Sequence, residues 1–142
     1  MPWNLSKKQP DMKLTPYSRK IIYQSFQDWR VPKDFAGPMY AYLVHAFNPG
    51  SCFTAVLAND FLGALTRSHP SNTITSLKAL AGWIRDTVPE QARGSYEAVE
   101  FWTSAGSEFR RDVLEKARLI LPADQEMWQT LKSEPVVEPV LY

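Results

Sequence analysis

The sequence has few of the residues from which catalytic and metal sites are usually built. Its 142 residues include one cysteine, Cys52, and two histidines, His45 and His69. A single cysteine excludes an internal disulfide and a cysteine-based zinc site. His45 has no second ligand one helical turn later, because Pro49 stands there. We therefore expect no metal, no cofactor and no catalytic residue, and we do not expect an enzyme.

Long apolar runs are also absent. No stretch approaches the roughly 20 apolar residues of a membrane-spanning helix, and the first residues contain no run of signal-peptide length. The chain is 44% hydrophobic and 22% charged, which is ordinary for a globular protein. These features predict a soluble, cytoplasmic protein without a membrane partner.

Apolar residues recur at helical spacing along most of the chain, and no segment alternates strictly as a strand would. The pattern predicts an all-α fold, a compact bundle of five to seven short helices. We expect a flexible basic arm over residues 1–14, a single helical domain over 15–133 and an extended tail over 134–142. The predicted core contains Leu43, Phe47, Val56, Leu57, Leu77 and Ile84.

Helix boundaries follow from capping residues, prolines and glycines. Thr15 and Ser95 are typical N-caps, and Pro38 predicts the start of the second helix. A break is expected at 105–107, where glycine is unfavourable inside a helix. Between 72 and 88, Ile74, Leu77, Ala81, Ile84 and Val88 predict one regular amphipathic helix.

The stretch over residues 49–67 is the segment around which the other helices are expected to pack. Asn48-Pro49-Gly50 is a turn signal, and Ser51 is positioned to cap a helix over about residues 51–65. Asn59 and Asp60 interrupt its apolar face, and Gly63 weakens it.

Two groups of residues in this region could carry chemistry. Asn59, Asp60 and Arg67 are predicted to form a polar network or a binding site, with local capping and pairing as the simpler interpretation. Cys52, His45 and Asp60 would supply a nucleophile, a base and an orienting carboxylate. We favour a small core thiol for Cys52, since it opens an apolar helix.

The two ends of the chain differ in charge. Residues 1–30 carry six Lys or Arg against two Asp, whereas residues 90–142 carry six against ten acidic residues. A short helix predicted over 123–132 places Met127, Trp128 and Leu131 together as a lid on the core. The tail offers apolar residues for docking on its own domain or on a partner, namely Val136, Val137, Val140, Leu141 and Tyr142.

The central stretch resembles a family of small uncharacterised proteins encoded by bacteriophages and prophages. That family has the pattern Pro-Gly-Ser-Phe-Leu-Thr-Ala-Val-Leu-x-Asn-Asp-Leu, and this chain has Pro49-Gly50-Ser51-Cys52-Phe53-Thr54-Ala55-Val56-Leu57-Ala58-Asn59-Asp60-Phe61. The likeness extends over about residues 35–102 and includes Arg67, Asn72, Trp83, Pro89, Gly94-Ser95-Tyr96-Glu97-Ala98-Val99 and Trp102. It implies a phage-encoded protein in the host cytoplasm or on the virion, and it brings no activity with it.

Three function classes follow from these observations. The first is a non-catalytic phage-type accessory protein acting by protein–protein interaction, with a phage or host protein or a second copy of the chain as partner. The second is a nucleic-acid-binding module that uses the basic N-terminal arm. The third is a small enzyme or nucleotide-binding protein. We favour the first because the sequence contains no catalytic constellation.

Overall fold

The chain is all-α in the part that the structure describes, which confirms the predicted fold class. A computed structural model describes residues 12–69 and 72–122, and within these ranges it contains seven α-helices and no strand. None of these helices combines the length and apolar character needed to cross a membrane. The helices, with a 3-10 turn at Glu90–Ala92, are α1 (Pro16–Asp28), α2 (Lys33–His45), α3 (Ser51–Leu57), α4 (Phe61–Arg67), α5 (Ile74–Thr87), α6 (Tyr96–Ser104) and α7 (Ser107–Lys116).

Side-chain caps define the starts of α1, α4, α5 and α6. The Thr15 and Ser95 hydroxyls each accept a hydrogen bond from the backbone N–H three residues later, as the sequence predicts. Thr73 and Ser76 form a reciprocal capping box at the start of α5. Such caps satisfy backbone N–H groups that have no partner within the helix.

The second helix begins earlier than the sequence predicts. Proline at position 38 indicates a helix start there, but α2 begins at Lys33 and contains Pro38 in its second turn. Proline inside a helix is costly, since it removes one hydrogen bond and crowds the preceding turn. Phe35 and Ala36 of the first turn are buried in the core. Their burial offsets the local cost of the proline.

The stretch predicted as one helix over 51–65 forms two short helices. Asn59 takes a left-handed backbone conformation, with φ 63°, between α3 and α4. The prediction that Ser51 caps α3 is wrong. Gly50, with φ 96°, precedes the helix as its cap residue, and Ser51 is the first helical residue. A positive φ is accessible to glycine without steric cost, which explains Gly50 at this turn.

Aromatic side chains join α1, α2 and α5 at the centre of the core. Tyr23 stacks on Tyr40 with ring centroids 5.0 Å apart, and the Phe26 ring lies 4.6 Å from that of Trp83. All four side chains are buried. The Trp83 indole N–H donates to the Ser25 hydroxyl at 2.9 Å, so the buried ring also satisfies its polar atom.

The end of α2 is held by side chains from α6 and α7. The Trp102 indole N–H lies 3.2 Å from the carbonyl oxygens of both Tyr42 and Leu43, and the Arg110 Nε–H donates to the carbonyl of Val44 at 3.1 Å. Trp102 and Arg110 are both fully buried. They therefore supply donors to carbonyls of the last helical turn, of which that of Tyr42 also accepts the backbone N–H of Ala46 at 3.0 Å.

Four of the six predicted core residues are buried, namely Leu43, Leu57, Leu77 and Ile84. The prediction was wrong for Phe47 and Val56, which are partly exposed. Phe47 follows the end of α2 and packs beside the His45 ring, with centroids 5.8 Å apart. Val56 lines a cavity that opens between α4 and α5.

The buried face of α5 is rotated from the predicted one. Ile74 is 65% exposed and Ala81 is exposed, although both belong to the predicted apolar face. Leu77, Ile84 and Val88 of the predicted face are buried, and the helix also buries Leu80 and Trp83. The buried face therefore extends toward Leu80 and Trp83, both of which are fully buried.

The packed part of the chain begins before the predicted domain boundary at residue 15. Met12 and Leu14 are each 2% exposed and belong to the core. The carbonyl of Leu14 accepts a hydrogen bond from the buried Arg19 guanidinium. Residues 1–11 of the predicted arm, the helix predicted over 123–132 and the tail over 134–142 lie outside the described residues.

Replacing Leu57 by alanine tests the central role of α3. Leu57 is 1% exposed, and Leu57→Ala should lower the free energy of unfolding by about 2 to 5 kcal/mol, because it removes buried methyl groups and leaves a cavity. Leu62→Ala is the matched control, since Leu62 is 71% exposed on the neighbouring α4. Urea unfolding measures both variants, and equal losses would contradict the assignment.

Candidate interaction surface

The junction between α3 and α4 positions the predicted polar residues. The backbone N–H groups of Asn59 and Asp60 donate to the carbonyls of Val56 and Ala55 at 3.2 and 2.8 Å. This turn ends α3 and starts α4 within three residues. Asp60 therefore caps the start of α4, with its carboxylate accepting the Gly63 N–H at 3.0 Å.

Tyr96 connects the two charged residues of the predicted network. Its hydroxyl donates to the Asp60 carboxylate at 2.5 Å and accepts a hydrogen bond from the Arg67 guanidinium at 3.0 Å. Asp60 and Arg67 lie at opposite ends of α4 and meet through this hydroxyl. Asn59 lies apart from these bonds, at the wall of a neighbouring cavity. Below, the network means Asp60, Tyr96 and Arg67.

The network lowers the pKa of the Asp60 carboxyl. The hydrogen bond from Tyr96 lowers the pKa of the Asp60 carboxyl most, and the Gly63 N–H and the charge of Arg67 lower it further. Desolvation opposes these effects. Hydrogen bonds to a carboxylate favour its charged form, so Asp60 stays ionised at more acidic pH than an ordinary aspartate does.

Glycine at position 63 allows Asp60 to approach the helix. A Cβ atom at this position would lie 2.2 Å from the Asp60 Oδ2 atom. Any other residue at position 63 would displace the carboxylate from its capping position. Gly63 weakens α4 locally, but it makes room for the Asp60 cap.

A mainly apolar cavity of about 320 Å³ lies beside the network, between α4 and α5. Asp60 belongs to both the network and the cavity wall. The other lining residues are Val56, Asn59, Phe61, Ala64, Leu65, Ile74, Leu77, Lys78 and Ala81.

Large apolar side chains are exposed on the two helices that line this cavity. Phe61 and Leu62 of α4 are each 71% exposed, and Ile74 of α5 is 65% exposed. Phe61 and Ile74 also line the cavity. We call Phe61, Leu62 and Ile74 the α4–α5 patch. Grouped apolar residues of this size on a surface are typical of interaction sites.

Sequence reasoning missed both Tyr96 and the patch. Tyr96 is 36 residues from Asp60, so no local spacing connects them. The periodicity of α5 placed Ile74 on its apolar face, and the single helix predicted over about 51–65 did not separate the exposed Phe61 from the buried face. Only the orientation of α4 and α5 determines which of these side chains reach the surface.

The residues considered for nucleophilic chemistry have structural contacts. The Cys52 thiol is partly buried and donates to the carbonyl of Ala64 at 3.5 Å. Burial raises the pKa of this thiol, which disfavours the reactive thiolate. His45 packs edge-on against Tyr40, with ring centroids 5.8 Å apart.

Among residues 12–69 and 72–122, no group of three His, Cys, Asp or Glu side chains is placed to hold a metal ion. The candidate partner contacts Val136, Val137, Val140, Leu141 and Tyr142 lie outside these ranges.

Comparison with known proteins finds no match: no protein-family model, no curated protein and no solved structure corresponds to this chain. The resemblance to phage-encoded proteins therefore stays a prediction. The candidate surface is interpreted from its own geometry.

Removing the Tyr96 hydroxyl tests the network through the titration of Asp60. In Tyr96→Phe the pKa of Asp60 should rise toward its ordinary value, because the largest cause of its depression is lost. Because the pKa of Asp60 is lower in the folded than in the unfolded protein, Asp60 stabilises the fold at pH values above its unfolded-state pKa. This stabilisation is lost as the pH falls through the folded-state pKa. The stability difference between wild type and Tyr96→Phe should therefore be larger at pH 7 than in acid. Carboxyl NMR titration and urea unfolding at both pH values measure these effects.

Tyr17→Phe is the matched control for this experiment. Tyr17 is 62% exposed on α1 and lies outside the network. An Asp60 pKa that is the same in Tyr96→Phe and in the control would contradict the network.

The reactivity of Cys52 tests its assignment as a packed thiol. Its alkylation by iodoacetamide at pH 7 should be several times slower in the folded protein than in urea, because burial raises its pKa and limits access. Mass spectrometry of timed samples measures both rates. Equal rates in the two states would show that Cys52 is freely accessible.

Proposed function

We propose that this chain is a non-catalytic phage-type accessory protein that acts by binding another protein. The observation that supports the proposal is the α4–α5 patch, in which Phe61, Leu62 and Ile74 are each at least 65% exposed beside an apolar cavity. The phage-type part of the proposal rests on the motif resemblance over residues 35–102.

The patch offers an energetic reason to bind. Burying a large apolar side chain contributes about 1.5 to 3 kcal/mol, so three such side chains offset part of the cost of association. The cavity adds a place where one apolar side chain of the partner can be enclosed. Anchor residues in such pockets usually supply most of the affinity of an interface.

The shape and charge of the surface indicate the chemistry of the partner. Two neighbouring helices, α4 and α5, form the walls of the cavity, and a groove of this kind suits the apolar face of an amphipathic helix. Lys78 is exposed at the cavity, while Asp60 is already engaged by Tyr96. We therefore propose a partner helix with an aliphatic or aromatic anchor flanked by an acidic residue.

A second groove favours nucleic acid as the alternative partner. It has a volume of about 960 Å³ and combines the half-exposed ring of Trp29 with the cations Arg30, Lys78 and Arg85. Asp86 also lines this groove and accepts a hydrogen bond from the Trp29 indole. Three cations are a small footprint for a nucleic-acid binder, so this function ranks second.

Affinity capture followed by titration tests the proposal. The full chain captures proteins from a nuclease-treated bacterial extract, and each captured protein is then purified and titrated with wild type, Phe61→Ser and Ile74→Ser. Each substitution should weaken binding about tenfold or more, since truncating an interface anchor costs about 2 kcal/mol. Phe101→Ser is the control, because Phe101 is also exposed, at 54%, but lies on α6.

Three results would contradict the proposal. One is equal weakening by Phe61→Ser and Phe101→Ser, which would place the binding site elsewhere. Another is binding only to nucleic acid, with an affinity that falls steeply with salt concentration. The third is self-association that depends on Phe61, which would make a second copy of the chain the occupant of the patch.

A further inference from the structure

The side chain of Trp29 rests on the middle of α5, in the wall of the groove of about 960 Å³. A Cβ atom at position 82 would lie 2.5 Å from the Trp29 Cζ3 atom, so only the absence of a side chain at Gly82 lets the ring come this close. The indole N–H donates to the Asp86 carboxylate at 3.1 Å, one turn further along the helix. These two contacts fix the position of the ring. We call this cavity the Trp29 groove.

The contact with Trp29 explains a glycine in the interior of a helix. Gly82 lies in the third turn of α5, where glycine is less favourable than alanine. A methyl group there would displace the Trp29 ring. The ring nevertheless stays 40% exposed. An indole that is held in place and partly open to solvent offers a surface on which a planar heteroaromatic ring can stack.

Three cations line the same groove. Lys78 stands four residues before Gly82 and Arg85 three residues after it, so both lie on the side of α5 that carries the ring, about 10 Å apart along the axis. Arg30 follows Trp29 directly. All three side chains are exposed, and none of them forms an ion pair with another residue that the structure describes.

The charge of the groove matches one nucleotide better than a strand of nucleic acid. The three cations outweigh the single carboxylate of Asp86, which the Trp29 indole already engages. A strand needs a longer row of cations along its backbone. A nucleotide instead concentrates its charge, since a terminal phosphate alone carries about two negative charges at neutral pH. It also supplies the planar ring that the exposed indole can accept.

We propose that the Trp29 groove binds a nucleoside di- or triphosphate, with the base stacked on Trp29 and the phosphates paired with Arg30, Lys78 and Arg85. Stacking tolerates any base, because every base has a π face. The site goes beyond the proposed protein partner and does not depend on it. Only Lys78 and Ala81 line both the Trp29 groove and the cavity beside the α4–α5 patch.

Exchange of Arg30 for glycine tests the phosphate contacts in a folded protein. Arg30 ends α1 with φ 58°, a conformation that glycine adopts without strain, so Arg30→Gly should stay folded. Calorimetric titration of the full chain with ADP should show binding weakened about tenfold, because a charged contact to phosphate is lost. Arg118→Gly is the matched control. Arg118 ends α7 with φ 61° and is exposed outside the groove.

Exchange of Trp29 for leucine tests the stacking. Trp29→Leu should weaken ADP binding about tenfold and change the binding of inorganic pyrophosphate little, since pyrophosphate has no base. Tyr17→Leu is the control, because Tyr17 is an exposed aromatic residue of α1 outside the groove. Lys78 is unsuitable for this test, since it also lines the neighbouring cavity. Thermal unfolding of each variant confirms that folded proteins are compared.

The outcomes separate a nucleotide from other anions. Binding of ADP that is tighter than that of pyrophosphate and of a short oligodeoxythymidylate, and that both variants weaken, supports the proposal. Equal affinity for ADP and pyrophosphate would overturn it, because the base would then contribute nothing. Tighter binding of the oligonucleotide would overturn it in favour of nucleic acid. Equal weakening by Arg30→Gly and Arg118→Gly, or no binding of ADP, would overturn it as well. None of these results bears on protein binding at the α4–α5 patch.

Discussion

The need to satisfy the carbonyl groups at the end of α2 organises the described structure. Tyr42, Leu43 and Val44, which carry these carbonyls, are buried, and an unpaired buried polar group is costly. Trp102 of α6 and Arg110 of α7 supply the donors from 59 to 66 residues further along the chain. Both side chains are fully buried, so the same residues fill the core and complete the hydrogen bonds of α2. These bonds connect α6 and α7 to the end of α2.

A buried arginine in this place has a specific structural role. Besides Val44, the Arg110 guanidinium donates to the carbonyl of Ala105 at 2.5 Å, at the end of α6. One side chain thus joins the ends of α2 and α6 to the start of α7. A guanidinium suits this role because its several donors point in different directions within one plane. The break between α6 and α7, predicted from glycine at position 106, exposes the carbonyl that Arg110 uses.

The candidate surface depends on how tightly the turn between α3 and α4 is made. With Asn59 in a left-handed conformation, α4 starts at once and folds back on α3, so its exposed face carries Phe61 and Leu62. Asp60 then serves two purposes, because it caps α4 and binds the Tyr96 hydroxyl of α6. The network therefore fixes α4 against α6 while the apolar side chains of α4 stay exposed. A rigid support of this kind lowers the entropic cost of binding a partner.

The sequence by itself determined the helical class, the break between α6 and α7 and the caps at Thr15 and Ser95, because each depends on periodicity or on residues a few positions apart. It also identified Leu43, Leu57, Leu77 and Ile84 as core residues. The tertiary structure decided the early start of α2, the rotation of α5 that exposes Ile74 and the meeting of Asp60 with Tyr96. Each of these depends on packing between segments that are distant in the chain. Pro38 is tolerated in α2 because neighbouring residues of the helix are buried, and α5 buries the side that carries Trp83. The bond between Asp60 and Tyr96 forms only because the fold brings α4 and α6 together.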